Sequence, residues 1–414
     1  MSEYAPEHDA FPMAEESDEK PLEGITVIDA GNLVASPVAS GLLADFGADV
    51  IKLEHPEYGD GLRQLAPHKD DVPLWWKVTD RNKRCITLDL SSPEGAAVFK
   101  DLAAEADVVT ENYRPGTMEK WGVGYEELKE INEGIVMLHI SGFGRTGPYS
   151  DRPGFGRIAG AMSGMTNLIG EKDGPPMTPG YPLADGVSGI FGAFGVMVAL
   201  YYRDLNDGVG QEIDLALFES LFRLLESNAI EYDQLQTVPK RNGNTHEYVA
   251  PSSTYETADG EYLTMTASTP SIWERLCRAM NREDLIDDPR FEDNAARVEH
   301  SDAVNGIVRE WVNGRTREEV EEAFDEYDVA YGWAYDMEDI FNDPHYRERG
   351  SLVRVPDEEL GEAAVQSVVP RFSESPGSVD HLGPQIGEHN EEVYGEELGY
   401  PPERLEELRE EEII

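Results

Sequence analysis

Between residues 22 and 144 the chain alternates between two periodicities, and that alternation constrains its fold more than any other feature. "GITVIDAG" is a β-branched run that ends in Asp29 and Gly31, and "SPVASGLLADFGAD" follows with helical spacing. "VIKLEHP" then completes a strand–helix–strand unit. Ser36 is positioned to cap that helix, Pro37 to occupy its first position and Gly47 to end it. "RCITLDL" (84–90) is the next strand, and "SSPEGAAVFKDLAAEA" repeats the Ser-then-Pro helix start. "DVVTENYRPG" and "GIVMLHISGFG" (134–144) each read as strand then turn. Strands alternating with helices predict an α/β fold on a mostly parallel, doubly wound sheet.

After "GQEIDLALFESLFRLLES" the alternation stops. Residues 241–253 read as a polar linker, and "STYETADGEYLTMTA" as a hairpin turning at Asp259–Gly260. "SIWERLCRAM" and "REEVEEAFDEY" carry helical spacing. Residues 225–350 are therefore expected to form a small α+β domain, after a large domain over 21–224. Two domains suit a chain of 414 residues. Residues 1–20 are acidic and Pro-containing, expected to be disordered, and carry no signal-peptide pattern.

Charge narrows the partners. Asp and Glu number 83 against 34 Lys and Arg, a net charge of −49, spread along the whole chain. Nucleic acid and anionic membrane are poor partners for such a surface. The excess predicts adaptation to high salt, where screening acts within about 3 Å. No apolar run is expected to span a bilayer, and two cysteines, Cys85 and Cys277, suggest no disulfide framework. A cytoplasmic location is expected. His and acidic residues are scattered without metal-ligand spacing, so no catalytic metal is expected. No G-x-G-x-x-G follows the first strand and no phosphate-binding Walker sequence occurs, so the sheet needs another ligand.

One acid stands out. In "YPLADGVSGIFGAFGVMVALYYR" (181–203), Asp185 precedes a run of small and apolar residues that reads as a buried helix. A carboxylate there is costly unless something stabilises or uses it. Taken alone, such an aspartate is more commonly a helix cap.

The order of segments carries a resemblance. "LEGITVIDAGNLVASPVASGLLADFGADVIKLEHPEYGDGLR", "DRNKRCITLDLSSPEG", "ADVVTENYRPGTMEKWGVGYEEL", "ISGFGRTGPYSDRPGF", "AMSGMTNLIGEKDGPPMTPGYPLADGVSG", "DPHYRERG" and "LGPQIGEHNEEV" follow one another. Together they resemble the class III CoA-transferases, a family that also includes formyl-CoA and carnitine CoA-transferases and α-methylacyl-CoA racemases. The resemblance implies a Rossmann-like large domain built from both chain ends, with 351–414 returning to it, and an interlocked homodimer. It implies a coenzyme A thioester as substrate and no further cofactor. Asp185 matches the family's nucleophile, which forms an aspartyl-CoA intermediate. Asn112, Tyr113, Arg114, Lys120, His55, Leu88 and Ser91 match CoA-binding positions.

Departures from the family pattern are equally specific. Phe155 and Gly156 stand where the racemases carry a His–Asp pair, and neither moves a proton. Val34 replaces a glutamine of formyl-CoA transferase, and "RNGNTHEYVAPSS" lacks that enzyme's glycine run. Arg241 and His246 in this loop are candidates to face the distal end of the acyl group. The expected reaction moves CoA from succinyl-CoA to a C4–C5 dicarboxylate such as mesaconate. An intramolecular transferase or a racemase on the same fold are the alternatives.

Overall fold

The computed structural model describes residues 11–14 and 20–414. The chain divides into two compact units. One comprises the chain up to Thr166, Thr178–Leu235 and Pro344–Ile414; the other comprises Asn167–Met177 and Gln236–Asp343. The boundaries thus fall near 235 and 343 rather than at 225 and 350. Loss of strand–helix alternation does not mark the change, because the helix Glu226–Leu235 still belongs to the first unit.

In the first unit six strands form one parallel sheet. Across it they run Lys83–Thr87, Asp49–Glu54, Thr26–Asp29, Val108–Glu111, Val136–Ser141, Glu212–Ala216. The first strand thus lies centrally, between the second and the fourth, with Ile28 opposite both Ile51 and Val109. Growth outward in both directions from one strand creates a topological switch point beside it, where such sheets take their ligands. Val27, Ile28, Val108, Val109, Val136 and Met137 are fully buried, as a parallel sheet covered on both faces requires.

One face packs on Ala35–Ala44 and on the long helix Leu183–Leu205. The other packs on Pro93–Glu105 and on the chain's end, where Tyr394, Leu405 and Leu408 join the core and the Tyr394 hydroxyl donates to the Thr87 carbonyl at 2.8 Å. Phe11 is buried, and Pro12 and Ala14 pair through their backbones with Arg354. Residues 11–14 are therefore ordered, contrary to expectation; 1–10 and 15–19 lie outside the described residues.

Two more expectations need correction. The Leu183–Leu205 helix has 23 residues, and its most apolar 18-residue stretch has a mean hydropathy of 1.8, long and apolar enough by composition to cross a membrane. One stripe of it, including Ala184, Ser188, Gly192 and Val196, is buried against the protein's own core. The helix at 35 starts two residues earlier than Ser36 capping would allow, with Val34 at the cap position and no side-chain cap. Ser36 instead donates to Asp29 at 3.1 Å and to Thr110 at 3.0 Å. By contrast, Ser92 caps as expected, accepting from the Gly95 N–H at 2.9 Å.

The second unit carries the expected hairpin, Ser252–Glu256 with Tyr262–Thr266, extended by Tyr331–Trp333 into a three-stranded antiparallel sheet. Gly260 takes a φ of +89° in its turn. Trp273, Leu276, Val304, Val308 and Phe324, from three helices, cover this sheet.

Candidate active site

The site begins with the loop after the first strand. Asp29 ends that strand and accepts from the Gly31 N–H at 3.0 Å. The Asn32 N–H donates to Asn112 Oδ1 at 2.8 Å, and Asn112 Nδ2 donates back to the Asn32 carbonyl at 2.7 Å. This reciprocal pair ties the loops after the first and fourth strands together at the switch point. Leu33 is held at a left-handed φ of +66°, its N–H donating to Asp60 Oδ1 at 3.0 Å. Lys52 braces the loop from beneath: its Nζ binds the Gly31 carbonyl and lies 2.8 Å from Asp60 Oδ2.

Two cavities flank this loop, and both are lined by Asn32 and Tyr113. One, of about 180 Å³, holds Asp185 together with Val34, Asn112, Arg114, Ser141, Arg152 and Phe155. The other, of about 150 Å³, is lined by His55, Leu88, Ser91, Tyr58, Asp60 and Trp121. His55 stacks on Tyr58 with ring centroids 3.8 Å apart, and Tyr113 meets Trp121 edge-on at 5.0 Å. Burial pushes the Tyr113 phenol up to about 12, so it remains a neutral donor.

The structure brings together most of the residues singled out from sequence. Asp185, Val34, Asn112, Tyr113 and Arg114 line the first cavity, and His55, Leu88, Ser91 and Tyr113 the second. Lys120, exposed at the end of Thr117–Lys120, lines neither. Arg241 and His246 belong to the second unit. The Arg241 guanidinium donates to the Asn167 carbonyl at 2.8 Å, and His246 Nδ1 accepts from the Tyr248 N–H at 3.1 Å. Neither is among the residues lining the two cavities.

Asp185 is not the cap of its helix. Pro182 holds that position, and Asp185 lies in the first turn, where the helix dipole favours an anion. Burial raises its pKa from 3.8, opposed only by its own backbone N–H. Among the described residues its side chain has no cation or hydroxyl partner, and Asp185 is one of the residues lining the cavity.

Gly156 sets the space for this carboxylate. A methyl group on Gly156 would overlap Asp185 Oδ2 and lie 3.1 Å from Cγ. Of the small residues after Asp185, only Gly186 faces open space. Gly189 is pressed against Val38, and Gly192 against Leu138 and Ala39, so these two serve helix packing, not substrate approach. Sequence reasoning missed Arg152, Tyr58 and Trp121 as lining residues. Arg152 lies in the same "DRPGFG" run that was informative for Phe155 and Gly156.

The sheet's switch point is thus flanked by two cavities, one of which includes a partly buried carboxylate, Asp185. The family model for CoA-transferase family III matches residues 22–390, and the chain belongs to that family. It is 43% identical over 398 residues, 95% of this chain and 98% of the relative, to the succinyl-CoA–L-malate CoA-transferase beta subunit of Chloroflexus aurantiacus. It is 40% identical over 403 residues, 97% of this chain and 100% of the relative, to the succinyl-CoA–D-citramalate CoA-transferase of the same organism. Its structure is similar to that of a CAIB/BAIF family protein from Brucella suis, with a TM-score of 0.80 and 32% identity over 91% of this chain and 99% of the other. The protein is an enzyme of the class III CoA-transferases.

Proposed function

We propose that this enzyme transfers CoA from succinyl-CoA to a free C4–C5 dicarboxylate, such as mesaconate, through Asp185. The observation that carries the reading is a partly buried carboxylate without a side-chain partner, facing a cavity at the switch point of the sheet. The names of the two Chloroflexus relatives support succinyl-CoA as donor and a dicarboxylate as acceptor.

The chemistry proceeds by two exchanges at Asp185. Its carboxylate oxygen attacks the thioester carbonyl; the C–S bond breaks and CoA leaves as thiolate, giving a succinyl-aspartyl anhydride. The thiolate then attacks Cγ of Asp185; the anhydride C–O bond breaks, freeing succinate and leaving an aspartyl-CoA thioester. The acceptor carboxylate repeats both steps in reverse and departs as its CoA ester. Each step conserves an activated acyl bond, so no ATP is consumed. The cavity lined by His55, Leu88 and Ser91 is the place for the adenine end of CoA, with Asn112, Tyr113 and Arg114 between it and the reacting carbonyl. Lys120 supplies charge toward the CoA phosphates from the surface. With Phe155 and Gly156 beside Asp185, no second acid–base group serves racemisation there.

The functional particle is a homodimer. The Leu183–Leu205 helix exposes Ile190, Phe194, Tyr201 and Leu205, each 60–69% accessible, on a chain otherwise rich in acids. Such a face calls for a partner, and a second copy is the one we assign. Native mass spectrometry in ammonium acetate tests this; a monomer would overturn it.

The test of the reaction is intact-protein mass after exposure to succinyl-CoA alone. The expected product is a covalent CoA adduct mapped to Asp185 and absent from Asp185→Ala. Transfer to mesaconate, citramalate or malate is then followed in turn. Absence of any adduct or hydroxylamine-sensitive species at saturating donor would overturn the assignment.

A further inference from the structure

We infer that Arg152 binds the distal carboxylate of the acyl group, and so selects dicarboxylic acids for the transfer proposed above, a reading on which this inference rests. In the cavity that holds Asp185, the only cationic side chains among the described lining residues are Arg114 and Arg152. Arg114 follows directly on Tyr113, which both cavities share, and so stands on the CoA side. Arg152 stands elsewhere, on the segment that ends in Phe155 and Gly156 against the Asp185 carboxylate.

Three features fix that segment before any ligand arrives. Gly142, just past the fifth strand, meets Gly154 so closely that a methyl group on Gly142 would come within 2.6 Å of the Gly154 Cα. The Arg152 N–H donates to the Tyr149 carbonyl at 2.9 Å, closing a turn. The guanidinium of Arg152 lies over the Tyr149 ring, 3.7 Å from its centroid, and that ring meets Phe143 edge-on at 6.2 Å. Stacking occupies the flat face of a guanidinium and leaves its in-plane N–H groups free. Those are the groups that bind a carboxylate in two parallel hydrogen bonds.

No acid claims those donors. Among the described residues Arg152 makes no ion pair, although the chain carries 83 Asp and Glu. Elsewhere, Arg63, Arg81 and Arg84 each hold a carboxylate at 2.5–2.6 Å. An arginine preorganised by stacking, unpaired, and placed in the cavity of the nucleophile has the chemistry to receive a carboxylate at the end of a short acyl chain.

The experiment compares succinyl-CoA with butyryl-CoA, which has a methyl group where succinyl has its carboxylate. CoA-adduct formation on Asp185 is timed for the wild-type chain, Arg152→Gln and Arg152→Lys. Arg152→Gln is expected to lose about 10-fold in kcat/KM for succinyl-CoA and to leave butyryl-CoA unchanged. Arg152→Lys, which keeps the charge but not the fork, is expected to fall between. Equal loss with both thioesters in a folded variant, or no loss with either, overturns the role of Arg152. Because adduct formation from butyryl-CoA reports folding and nucleophile together, a misfolded Arg152→Gln chain is recognised by failure there, and Arg152→Lys then decides by the same two thioesters. If the wild-type chain forms no adduct from either thioester, the transfer reading itself fails, and this inference with it.

Discussion

Two acids at the same edge of the sheet, Asp29 and Asp185, have opposite surroundings. Asp29 is fully buried and fully partnered: Lys83 at 2.9 Å, Ser40 at 2.7 Å, Ser36 at 3.1 Å and the Gly31 N–H at 3.0 Å. Burial opposes its charge, but Lys83 and Lys52 outweigh burial and hold its pKa well below the ordinary value. Asp185 is less buried and has no such partners, so burial prevails and its pKa rises. A carboxylate whose lone pairs are all engaged holds a loop in place; one whose lone pairs are free can attack a carbonyl.

Substitutions at the two positions should therefore separate activity from stability. The largest expected effect is on chemistry. Asp185→Asn should reduce CoA transfer by about 10³-fold or more, measured as mesaconyl-CoA formed from succinyl-CoA. The same variant should melt no lower than the wild type at pH 7. The sign follows from linkage. A carboxyl group whose folded pKa is raised costs stability once ionised in the native state. That cost is present above the folded pKa and vanishes below the ordinary 3.8, so the variant's advantage should disappear in acid.

Asp29→Asn should do the reverse. It leaves Lys83 buried beside only Asp80, and breaking such a pair costs about 3–5 kcal/mol. Urea unfolding reads the loss. A variant that stayed stable but lost transfer would break the contrast.

Gly156→Ala tests how finely the free acid is placed. The added methyl must push the Asp185 carboxylate aside. A displacement of about 1 Å can cost 10²-fold in rate, and the fold should survive. Unchanged adduct formation would mean that the carboxylate position tolerates this shift.

A smaller effect concerns pH. In the proposed mechanism the ionised Asp185 is the nucleophile, so the rate of adduct formation should fall as pH drops, with an inflection above the ordinary 3.8. An inflection at or below that value would remove the electrostatic half of the comparison. The smallest expected effect is the response to salt. With a net charge of −49, the melting temperature should be lower in dilute buffer than in molar KCl. Equal midpoints would count against salt adaptation.

Two serine–proline pairs explain how much was legible before the fold was known. Ser92–Pro93 and Ser36–Pro37 look alike in sequence. The first behaves as a cap because its partner, the Gly95 N–H, is three residues away. The second does not, because Asp29 and Thr110 reach Ser36 from two strands and take its hydroxyl. Strands, helices, the hairpin turn at Gly260 and Asp185 at the mouth of its helix were legible by the same local logic. Through the family pattern the sequence also named Val34, His55, Leu88, Ser91, Asn112, Tyr113 and Arg114, which line the two cavities among many residues it did not name. Arg152 was not legible, because its significance rests on Tyr149 beneath it and on the Gly142–Gly154 contact. Lys52 was not either: it lies within a strand, and only the fold brings it beneath the Gly31 carbonyl.

The amino-acid order alone determined the alternating elements, the acidic surface and the presence of a lone aspartate at the start of a helix rich in small residues, since these depend on near neighbours and composition. Only the tertiary structure decided which acid would be neutralised and which left free. That choice depends on charges brought from distant positions, Lys52 and Lys83 to Asp29 and none to Asp185, and electrostatic energy in a buried site is set by distance in space, not by separation along the chain.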